Sequence, residues 1–422
     1  MPKTTFITLV IVLTLIVLSG GFWFFFIYQT PAESVRNIKT EIIDRLPFGG
    51  GFGGSSGENK ETSKEETQGG DTKINETSNK GGAVFAPSKI RMLSQIPVAG
   101  FGVMEATSTK MARYIERASG NVYEIGVDEE TARRRLTNTT IPRIREAFFT
   151  QNGAGVIIRY LKDDNKTIET YSASIPTQGQ TPNESGELKV VFLPQNISSL
   201  AVSPDGKKIF YIVEFNEGTL GFVSNTLNES KQQIFNSPLT EWIASWPQEK
   251  TIFLTTKPSG GVSGYSFSLN TTTKVFEKIL GGVGLTSLVS PNGKLMLFSS
   301  SGETGIALSI YDIKNKTTVA LNARTLPEKC VWTADSAKIY CAVPTNTVLS
   351  KLPDTWYQGK FFFSDRIWLI NPADGSGSII ADLKDETGKN IDAINLSADK
   401  KGNNLFFVNK IDQSLWSVKL GE

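Results

Sequence analysis

The chain contains no histidine and only two cysteines, Cys330 and Cys341, among its 422 residues. Without histidine, the Ser-His-Asp and Cys-His nucleophile arrangements and every metal site with an imidazole ligand are excluded. Two cysteines are too few for a zinc site built from cysteine alone. The formal charge of +2 gives no concentrated basic footprint of the kind that nucleic acid requires. We therefore predict no metal, no cofactor and no nucleic-acid partner.

The one apolar run of spanning length covers Phe6 to Tyr28 and holds no charged residue. A helix of about 23 residues reaches about 34 Å, which is enough to cross a bilayer core. The run predicts a transmembrane helix over residues 6–28. Because Lys3 lies on the N-terminal side, residues 1–5 are predicted to be cytoplasmic and the bulk of the chain extracytoplasmic. A cleaved signal peptide is the alternative, although its apolar core is normally shorter and no Ala-x-Ala site ends this run.

Two further segments precede the main body of the chain. Thr30-Pro31-Ala32-Glu33 has the form of a capping box, and apolar residues follow it at helical spacing, so residues 29–46 are predicted to form a juxtamembrane helix. Residues 47–87 are rich in Gly, Ser and charged residues. Such a segment buries too little apolar surface to offset the entropy of ordering, so we predict a disordered linker.

From residue 88 onward, an apolar run, a tight turn and a second apolar run recur. The pattern is clearest from Leu200 to Val213, with Ser-Pro-Asp-Gly-Lys at its turn, and it returns at Ser290-Pro291-Asn292-Gly293. Pro presets the first corner of such a turn, and Gly takes the positive φ that closes it. The turn positions lie roughly 43 residues apart through the middle of the chain, a period typical of a β-propeller blade.

The repeats predict an all-β, seven-bladed β-propeller over residues 88–420, with six or eight blades as alternatives. The last unit, Ile391 to Leu420, supplies only three strands, whereas Lys89 to Gln95 supplies a strand without a blade. We expect this N-terminal strand to complete the last blade, because closing the ring removes an exposed strand edge.

The Ser-Pro-Asp-Gly-Lys turn followed by the Ile-Phe-Tyr strand, from Ser203 to Tyr211, resembles the repeats of the TolB-type propeller, which is similar to WD-repeat propellers. The resemblance covers most of residues 88–420, although no blade carries the Gly-His or Trp-Asp pairs of WD repeats. It implies the propeller fold and, because TolB-type proteins are extracytoplasmic, a position outside the cytoplasm. It implies no ligand, since propellers of this kind serve as binding platforms, peptidase gates and enzymes.

One blade is about 20 residues longer than the period of the repeat. The excess, Thr345 to Ser364, falls between the second and third strands of the blade that contains Cys330, so we expect it on the face opposite the Pro-Asp-Gly turns. The candidate binding residues in this insertion are Trp356, Tyr357, Phe361 and Phe362. Exposed Trp and Tyr often dominate binding interfaces; the alternative is that these aromatics fold down and cap the blade.

Arginines cluster between Arg91 and Arg159, and Arg133, Arg134 and Arg135 are consecutive. Arginine is suited to bidentate capture of carboxylate or phosphate, so these three residues are the second candidate site, for an anionic partner such as a cell-wall polymer or lipid head groups. Solvated blade edges are the alternative for such charges.

Cys330 and Cys341 are equidistant from the turn at Asp335-Ser336, so we expect them opposite each other on neighbouring strands. An extracytoplasmic location would favour a disulfide between them. Two buried, reduced side chains are the alternative.

The sequence predicts a protein that is not an enzyme. Sialidase-like propellers show Ser-x-Asp-x-Gly-x-x-Trp boxes, and no complete one occurs here. We predict a membrane-tethered, extracytoplasmic propeller that binds a protein or a cell-envelope polymer as a binding or scaffolding module. The alternative is a propeller enzyme that acts on an envelope glycan or peptide, for which the sequence offers no catalytic set.

Overall fold

The computed structural model describes residues 89–105, 110–128, 131–175, 188–302, 305–345 and 352–420. Within them, seven four-stranded antiparallel sheets form the blades of a β-propeller, which confirms the predicted fold and blade number. The predicted transmembrane helix, juxtamembrane helix and linker lie outside the described residues. Among the residues that are described, no helix has the length and apolar character needed to span a bilayer.

Each blade follows chain order from its innermost strand outward, except the last. Blades 1 and 2 contain β2 (Val98–Glu105), β3 (Lys110–Glu116), β4 (Val122–Gly126), β5 (Arg134–Arg135), β6 (Ile144–Thr150), β7 (Gly155–Leu161), β8 (Ile168–Ser174) and β9 (Lys189–Phe192). Blades 3 and 4 contain β10 (Ile197–Val202), β11 (Lys208–Phe215), β12 (Gly218–Asn225), β13 (Gln232–Ser237), β14 (Trp242–Gln248), β15 (Thr251–Thr256), β16 (Ser263–Asn270) and β17 (Phe276–Val283). Blades 5 and 6 contain β18 (Thr286–Val289), β19 (Leu295–Gly302), β20 (Gly305–Asp312), β21 (Thr317–Ala320), β22 (Cys330–Trp332), β23 (Ile339–Pro344), β24 (Asp365–Ile370) and β25 (Gly377–Asp382).

Blade 7 joins the two ends of the propeller. Its strands β26 (Ala393–Ala398), β27 (Asn404–Asn409) and β28 (Leu415–Lys419) come from the C-terminal region, and its outermost strand is β1 (Ile90–Ser94). Ile90 pairs with Val418 and Met92 with Trp416. The predicted closure by the N-terminal strand is therefore confirmed, and the outer edge of β28 is paired.

The two ends of the blades differ in the connections that they carry. The turns between first and second strands and between third and fourth strands share one end, which we call the turn face. The loops between second and third strands and the connections between blades share the other end, the loop face. This follows from antiparallel order in every blade.

Polar residues fix the turns as the repeat predicts. Ser203 Oγ donates to Asp205 Oδ1 at 2.6 Å, and the same carboxylate accepts the backbone N–H of Lys207 at 3.0 Å. Gly206 has a φ of 69°, a left-handed conformation that costs glycine little. Asn292 and Asp335 occupy the equivalent places in blades 5 and 6. The acidic residues of these turns are thus explained by local hydrogen bonds.

The hydrophobic core is divided among the interfaces between blades. One cluster packs Ile115 and Val122 of blade 1 against Val156 and Ile158 of blade 2. Similar clusters lie between each of the other neighbouring pairs, including blades 7 and 1. Because both faces of a sheet are covered, the strands are continuously apolar, as at Ile209–Ile212, which is fully buried.

Two short helices lie at the loop face, and neither was predicted from the sequence. α1 (Asp354–Tyr357) belongs to the insertion, which occupies residues 345–364 between β23 and β24 as predicted. α2 (Leu383–Thr387) connects blades 6 and 7, and the Asp382 side chain caps its N-terminus by accepting from the backbone N–H groups of Lys384 and Asp385.

Candidate functional site

A cavity of about 490 Å³ occupies the centre of the ring. It is lined by sixteen residues of the innermost strands of blades 1, 2, 3, 4 and 7: Ala99, Gly100, Phe101, Glu146, Ala147, Phe148, Phe149, Leu200, Ala201, Val202, Ala244, Ser245, Trp246, Asn395, Leu396 and Ser397. The lining is mostly apolar, with a few polar groups. Small residues at the centre of several strands, such as Ala147, Ala201 and Ala244, leave the space open.

Blades 5 and 6 do not contribute to this lining, because an apolar cluster fills their loop-face side. Leu326 lies just before β22, and it packs with Leu352, Trp356 and Phe363 of the insertion and with Ile306 of blade 5. Ile394 of β26, next to the cavity residue Asn395, also contacts this cluster. The insertion therefore covers the loop-face side of blades 5 and 6, and none of its described residues lines the cavity.

Hydrogen bonds fix the insertion to other blades. Asp354 Oδ2 of α1 accepts the backbone N–H of Gly260 in blade 4 at 2.5 Å. Ser301 of blade 5 donates through Oγ to the carbonyl of Leu352 at 2.8 Å. A side chain at Gly260 would place its Cβ 2.4 Å from that carbonyl, so glycine is required for the close approach. The insertion thus extends from blade 6 across blade 5 to blade 4.

A buried charged cluster fixes the other side of the insertion. Lys329 has no exposed surface; its Nζ donates to Asp365 at 2.7 Å, to Asp392, and to the carbonyl of Ala393 at 3.0 Å. Asp392 Oδ2 also accepts from Trp356 Nε1 at 2.7 Å and from the backbone N–H of Phe363 at 3.1 Å. The cluster therefore joins blade 6, blade 7 and the insertion.

Two carboxylates share the Lys329 ammonium group in this cluster, and the charge of Lys410 also acts on Asp392. Burial raises the pKa of Asp365 to about 6, against the opposing attraction of Lys329. The Oδ1 atom of Asp365 is buried and has no hydrogen-bond partner.

Three further groups with shifted pKa values lie around the insertion. Lys410 Nζ stands 3.7 Å from the centre of the Trp356 ring and donates to the Trp356 carbonyl, and burial lowers the pKa of this lysine to about 8. Burial raises the pKa of Glu328, which accepts the hydroxyl of Tyr357. Burial, followed by the charge of Glu328, also raises the pKa of Tyr357. These contacts hold the Tyr357 ring in place.

The aromatic candidates predicted from the sequence lie together but differ in exposure. Tyr357 is 40% exposed and Phe362 is 46% exposed, whereas Phe361 is partly buried against the cluster. Trp356 is only 4% exposed, and its indole N–H is bound by Asp392. Of the two alternatives for these aromatics, Trp356 follows the second: it folds down onto the protein, because the buried carboxylate of Asp392 accepts its indole N–H. Trp356 supports the surface that Tyr357 and Phe362 present.

The arginine candidates lie elsewhere, on the outer edge of blade 1. Arg133 binds Glu116 at 2.5 Å and stacks 4.5 Å from the centre of the Tyr123 ring. Arg134 binds Glu124 at 2.7 Å, and Glu124 also accepts from Arg113. Arg135 is exposed on β5. The structure does not bring this group together with the aromatic residues of blade 6.

Cys330 and Cys341 are direct partners across β22 and β23, as the symmetry of the turn indicates. Their sulfur atoms are joined in a disulfide of 2.10 Å. The bridge is buried in the core between blades 5 and 6.

Sequence reasoning missed the residues at the base of the site. Lys329 stands six residues before the turn residue Asp335, where blades 3 and 5 have the polar residues Ser199 and Thr286, and Asp392 directly precedes β26. The repeat pattern therefore gave no signal for Lys329. Glu146 in the cavity was not singled out either; it is bound by Arg159 of the neighbouring strand.

No protein-family model matches the chain, and no curated protein matches it. Among solved structures, the β-propeller domain of the Trilobed protease from Pyrococcus furiosus is similar, with a TM-score of 0.50 and 13% identity over 79% of this chain and 97% of that chain. Oligogalacturonate lyase in complex with manganese has a TM-score of 0.50 and 11% identity, over 80% of this chain and 99% of that chain. TolB from Acinetobacter baumannii has a TM-score of 0.42 and 13% identity, over 65% of this chain and 63% of TolB, which is less than two thirds of its length.

The topology shows a seven-bladed β-propeller, and the two solved structures with a TM-score of 0.50 share this fold. At such identities the similarity concerns the fold alone. The Pyrococcus propeller is described as having an open velcro topology, whereas β1 closes the ring in this chain. Because the similar structures include a protease domain and a lyase, the fold does not select a function.

Proposed function

We propose that this protein is a membrane-tethered, extracytoplasmic binding module that recognises a protein partner through the loop face of its propeller. The observation that carries the proposal is the distribution of exposed large apolar side chains. Among the described residues, ten of the seventeen lie in loop-face connections or at the loop-face end of a strand: Ile96, Phe192, Phe215, Leu239, Ile243, Val262, Val283, Tyr357, Phe362 and Ile411. Four, Val190, Leu227, Val275 and Phe276, lie in the same way at the turn face, and the other three are within strands.

The loop face also has the form of a protein-binding surface. Tyr357 and Phe362 are exposed on an insertion that is fixed to blades 4, 5 and 7, so little conformational entropy is lost when they are covered. Rigid, exposed aromatic residues are typical of the residues that dominate protein–protein affinity.

The charge of the loop face favours a protein over a polyanion. Its exposed basic residues in the described part of the chain are Arg143, Arg145, Lys166, Lys257, Arg324, Lys360, Lys384 and Lys389. Eight exposed acidic residues balance them: Asp163, Asp164, Glu214, Glu217, Glu241, Asp385, Glu386 and Asp412. A long anionic polymer would gain little from a face of balanced charge.

The cavity chemistry favours binding over catalysis. Glu146 is the only ionisable side chain among the sixteen cavity-lining residues, and Arg159 already binds it. General acid–base catalysis by two carboxylates would require a second group within reach of the same substrate. The enzyme alternative is tested by activity on envelope glycans and peptides.

The membrane tether is supported by the uncharged run from Phe6 to Tyr28. An extracytoplasmic position is supported by the disulfide, which an oxidising compartment would sustain.

Capture from an envelope extract by the immobilised fragment 87–422 tests the proposal. Replacing Tyr357 or Phe362 by Ala should weaken capture of a protein partner by more than about 1 kcal/mol each. Leu227→Ala and Val275→Ala are the controls, since these side chains are each 49% exposed at the turn face. Equal loss with both pairs, or capture only of protease-resistant polymer, would contradict a protein-binding loop face.

A further inference from the structure

The turn face of blades 3 to 7 is strongly basic, in contrast to the loop face. Thirteen exposed lysines lie at this end of the described blades: Lys89, Lys207, Lys208, Lys231, Lys250, Lys274, Lys294, Lys314, Lys316, Lys338, Lys400, Lys401 and Lys419. The exposed acidic residues described at the same end of these blades are Asp205, Glu229, Glu249, Asp335 and Asp374. We call this surface the lysine face.

The arrangement of the lysines follows from the repeat. One lysine comes at or just after the turn between the first and second strands in each of five consecutive blades: Lys207, Lys250, Lys294, Lys338 and Lys401. Since equivalent turns end neighbouring sheets, these side chains share one end of the propeller. A lysine side chain is long and carries a compact, strongly hydrated charge, which suits contact with many anionic groups without a fixed geometry.

The chain enters the propeller at the lysine face. β1 begins at Ile90, which pairs with Val418 near the turn-face end of β28, and runs toward the loop face. Lys89 and Lys419 therefore lie where residues 1–88 join the propeller. The segment that carries the proposed membrane span is attached to the basic end, and the apolar loop face is the opposite end.

We propose that the lysine face rests on the anionic lipid surface of the membrane to which the chain is tethered and so turns the loop face toward its partner. A lysine close to an anionic bilayer contributes favourable electrostatic energy, and many lysines on one face act together. At this face the described ends of blades 3 to 7 expose three large apolar side chains, Leu227, Val275 and Phe276, against thirteen lysines, so the contact is electrostatic rather than inserted. The proposed orientation rests on the membrane span that is part of the proposed function. The contact between the lysine face and lipid does not depend on the protein partner.

Fluorescence energy transfer from a label on the protein to labelled lipid tests which face of the propeller lies near the membrane in the full-length chain. Cys330 and Cys341 are joined, so a single introduced cysteine supplies one thiol. Thr272→Cys labels the turn face of blade 4, and Thr240→Cys labels the loop face at the start of the same blade. Strands of about eight residues separate the two labels by about 25 Å along the blade. The labelled chain is reconstituted with phosphatidylcholine vesicles, with or without about one third phosphatidylglycerol.

We expect stronger transfer from Thr272→Cys than from Thr240→Cys, in the anionic vesicles only. The difference should vanish in 1 M salt, where the Debye length falls to about 3 Å. Changing Lys207, Lys250, Lys294, Lys338 and Lys401 to Gln should reduce transfer from Thr272→Cys to the level in neutral vesicles. The same change at the five exposed loop-face lysines (Lys166, Lys257, Lys360, Lys384 and Lys389), with the same loss of charge, should leave it unchanged.

Each other outcome is decisive. Equal transfer from both labels, or no effect of phosphatidylglycerol, would overturn the proposal. Vesicle flotation separates the two proposals. If the chain floats with anionic vesicles but not with neutral ones, the lipid contact is supported and the membrane span of the proposed function is contradicted. If the chain floats with neither kind of vesicle, both the lipid contact and the membrane span are contradicted. Binding of the lysine face to soluble polyglutamate, without any dependence on vesicle lipid, would assign the face to an anionic polymer and also overturn the proposal.

Discussion

Lys329, Asp365 and Asp392 form a charged cluster with no exposed surface between blades 6 and 7. A buried ion pair of this kind is weak evidence for stability, because desolvation opposes the attraction of the charges. Its main effect here is positional, since Asp392 binds both the indole of Trp356 and the backbone of Phe363. The cluster thereby holds the insertion that presents Tyr357 and Phe362.

The burial of Asp365 predicts a specific pH dependence. Asp365 has a folded pKa of about 6, above its ordinary 3.8, so the folded protein binds more protons than the unfolded chain between these values. Its contribution to the free energy of unfolding must therefore fall as pH rises from about 4 to 7, by up to about 3 kcal/mol. Urea unfolding of the fragment 87–422 should show this slope in the native protein and lose it in Asp365→Asn.

Asp374→Asn is the control, since this exposed turn aspartate has a lowered pKa and should leave the slope over this pH range unchanged. Identical slopes for Asp365→Asn and the native fragment would mean that Asp365 is ionised throughout this range.

The disulfide gives a second prediction for individual residues. Because Cys330 and Cys341 are bonded, protein unfolded without reductant should react with no thiol reagent, and reduction should release two thiols per chain. Mass spectrometry after alkylation measures this directly. Two alkylated cysteines before reduction would rule out the bridge.

Individual residues also show where prediction from sequence reaches its limit. The pairing of Cys330 with Cys341 could be derived because a hairpin turn fixes the register of its two strands. The burial of Trp356 could not, because its partner Asp392 is 36 residues away and belongs to another blade. Local patterns carry no information on such long-range contacts.

Among the elements, the five-residue strand β1 closes the ring of blades. It covers the outer edge of β28 and joins the two ends of the ring. Its role was predictable from the sequence. The last repeat unit supplies only three strands, and the N-terminal strand has no blade of its own, so the second completes the first.

Two truncations test this closure. Removal of residues 1–86 should leave a soluble, folded propeller, whereas removal of residues 1–96 should expose the edge of β28, lower the melting temperature and favour aggregation. Thermal melts and light scattering at equal concentration compare the two fragments. Equal solubility and equal melting temperatures would show that β1 is dispensable.

The insertion shows what could and could not be predicted for an element. Its bounds, 345–364, followed from the excess over the repeat length, and its place at the loop face followed from strand order. Its path toward blade 4 depends on the contact between Asp354 and Gly260. That contact joins residues 94 positions apart, and nothing in the repeat indicates it.

On the scale of the whole molecule, the proposed arrangement is a propeller tethered outside the membrane by its N-terminal segment. Protease added to cells with a permeabilised outer layer should therefore release a soluble fragment that contains the propeller, cut within residues 49–82. Immunoblotting against the C-terminal region measures the release. Complete protection of the propeller, with a cytoplasmic control protein also protected, would contradict this topology.

The two faces of the propeller differ in their surface chemistry. The loop face carries exposed apolar residues and balanced charge, whereas the turn face of blades 3 to 7 carries lysine. If this difference reflects function, the protein partner binds the loop face and not the turn face.

Site-specific photo-cross-linking in living cells tests that claim most directly. A photoreactive amino acid is placed at Phe362 or Thr240 on the loop face, and at Leu227 or Thr272 on the turn face. We expect the same protein adduct from both loop-face positions and no protein adduct from the turn-face positions. The same adduct from the turn face, with none from the loop face, would contradict it.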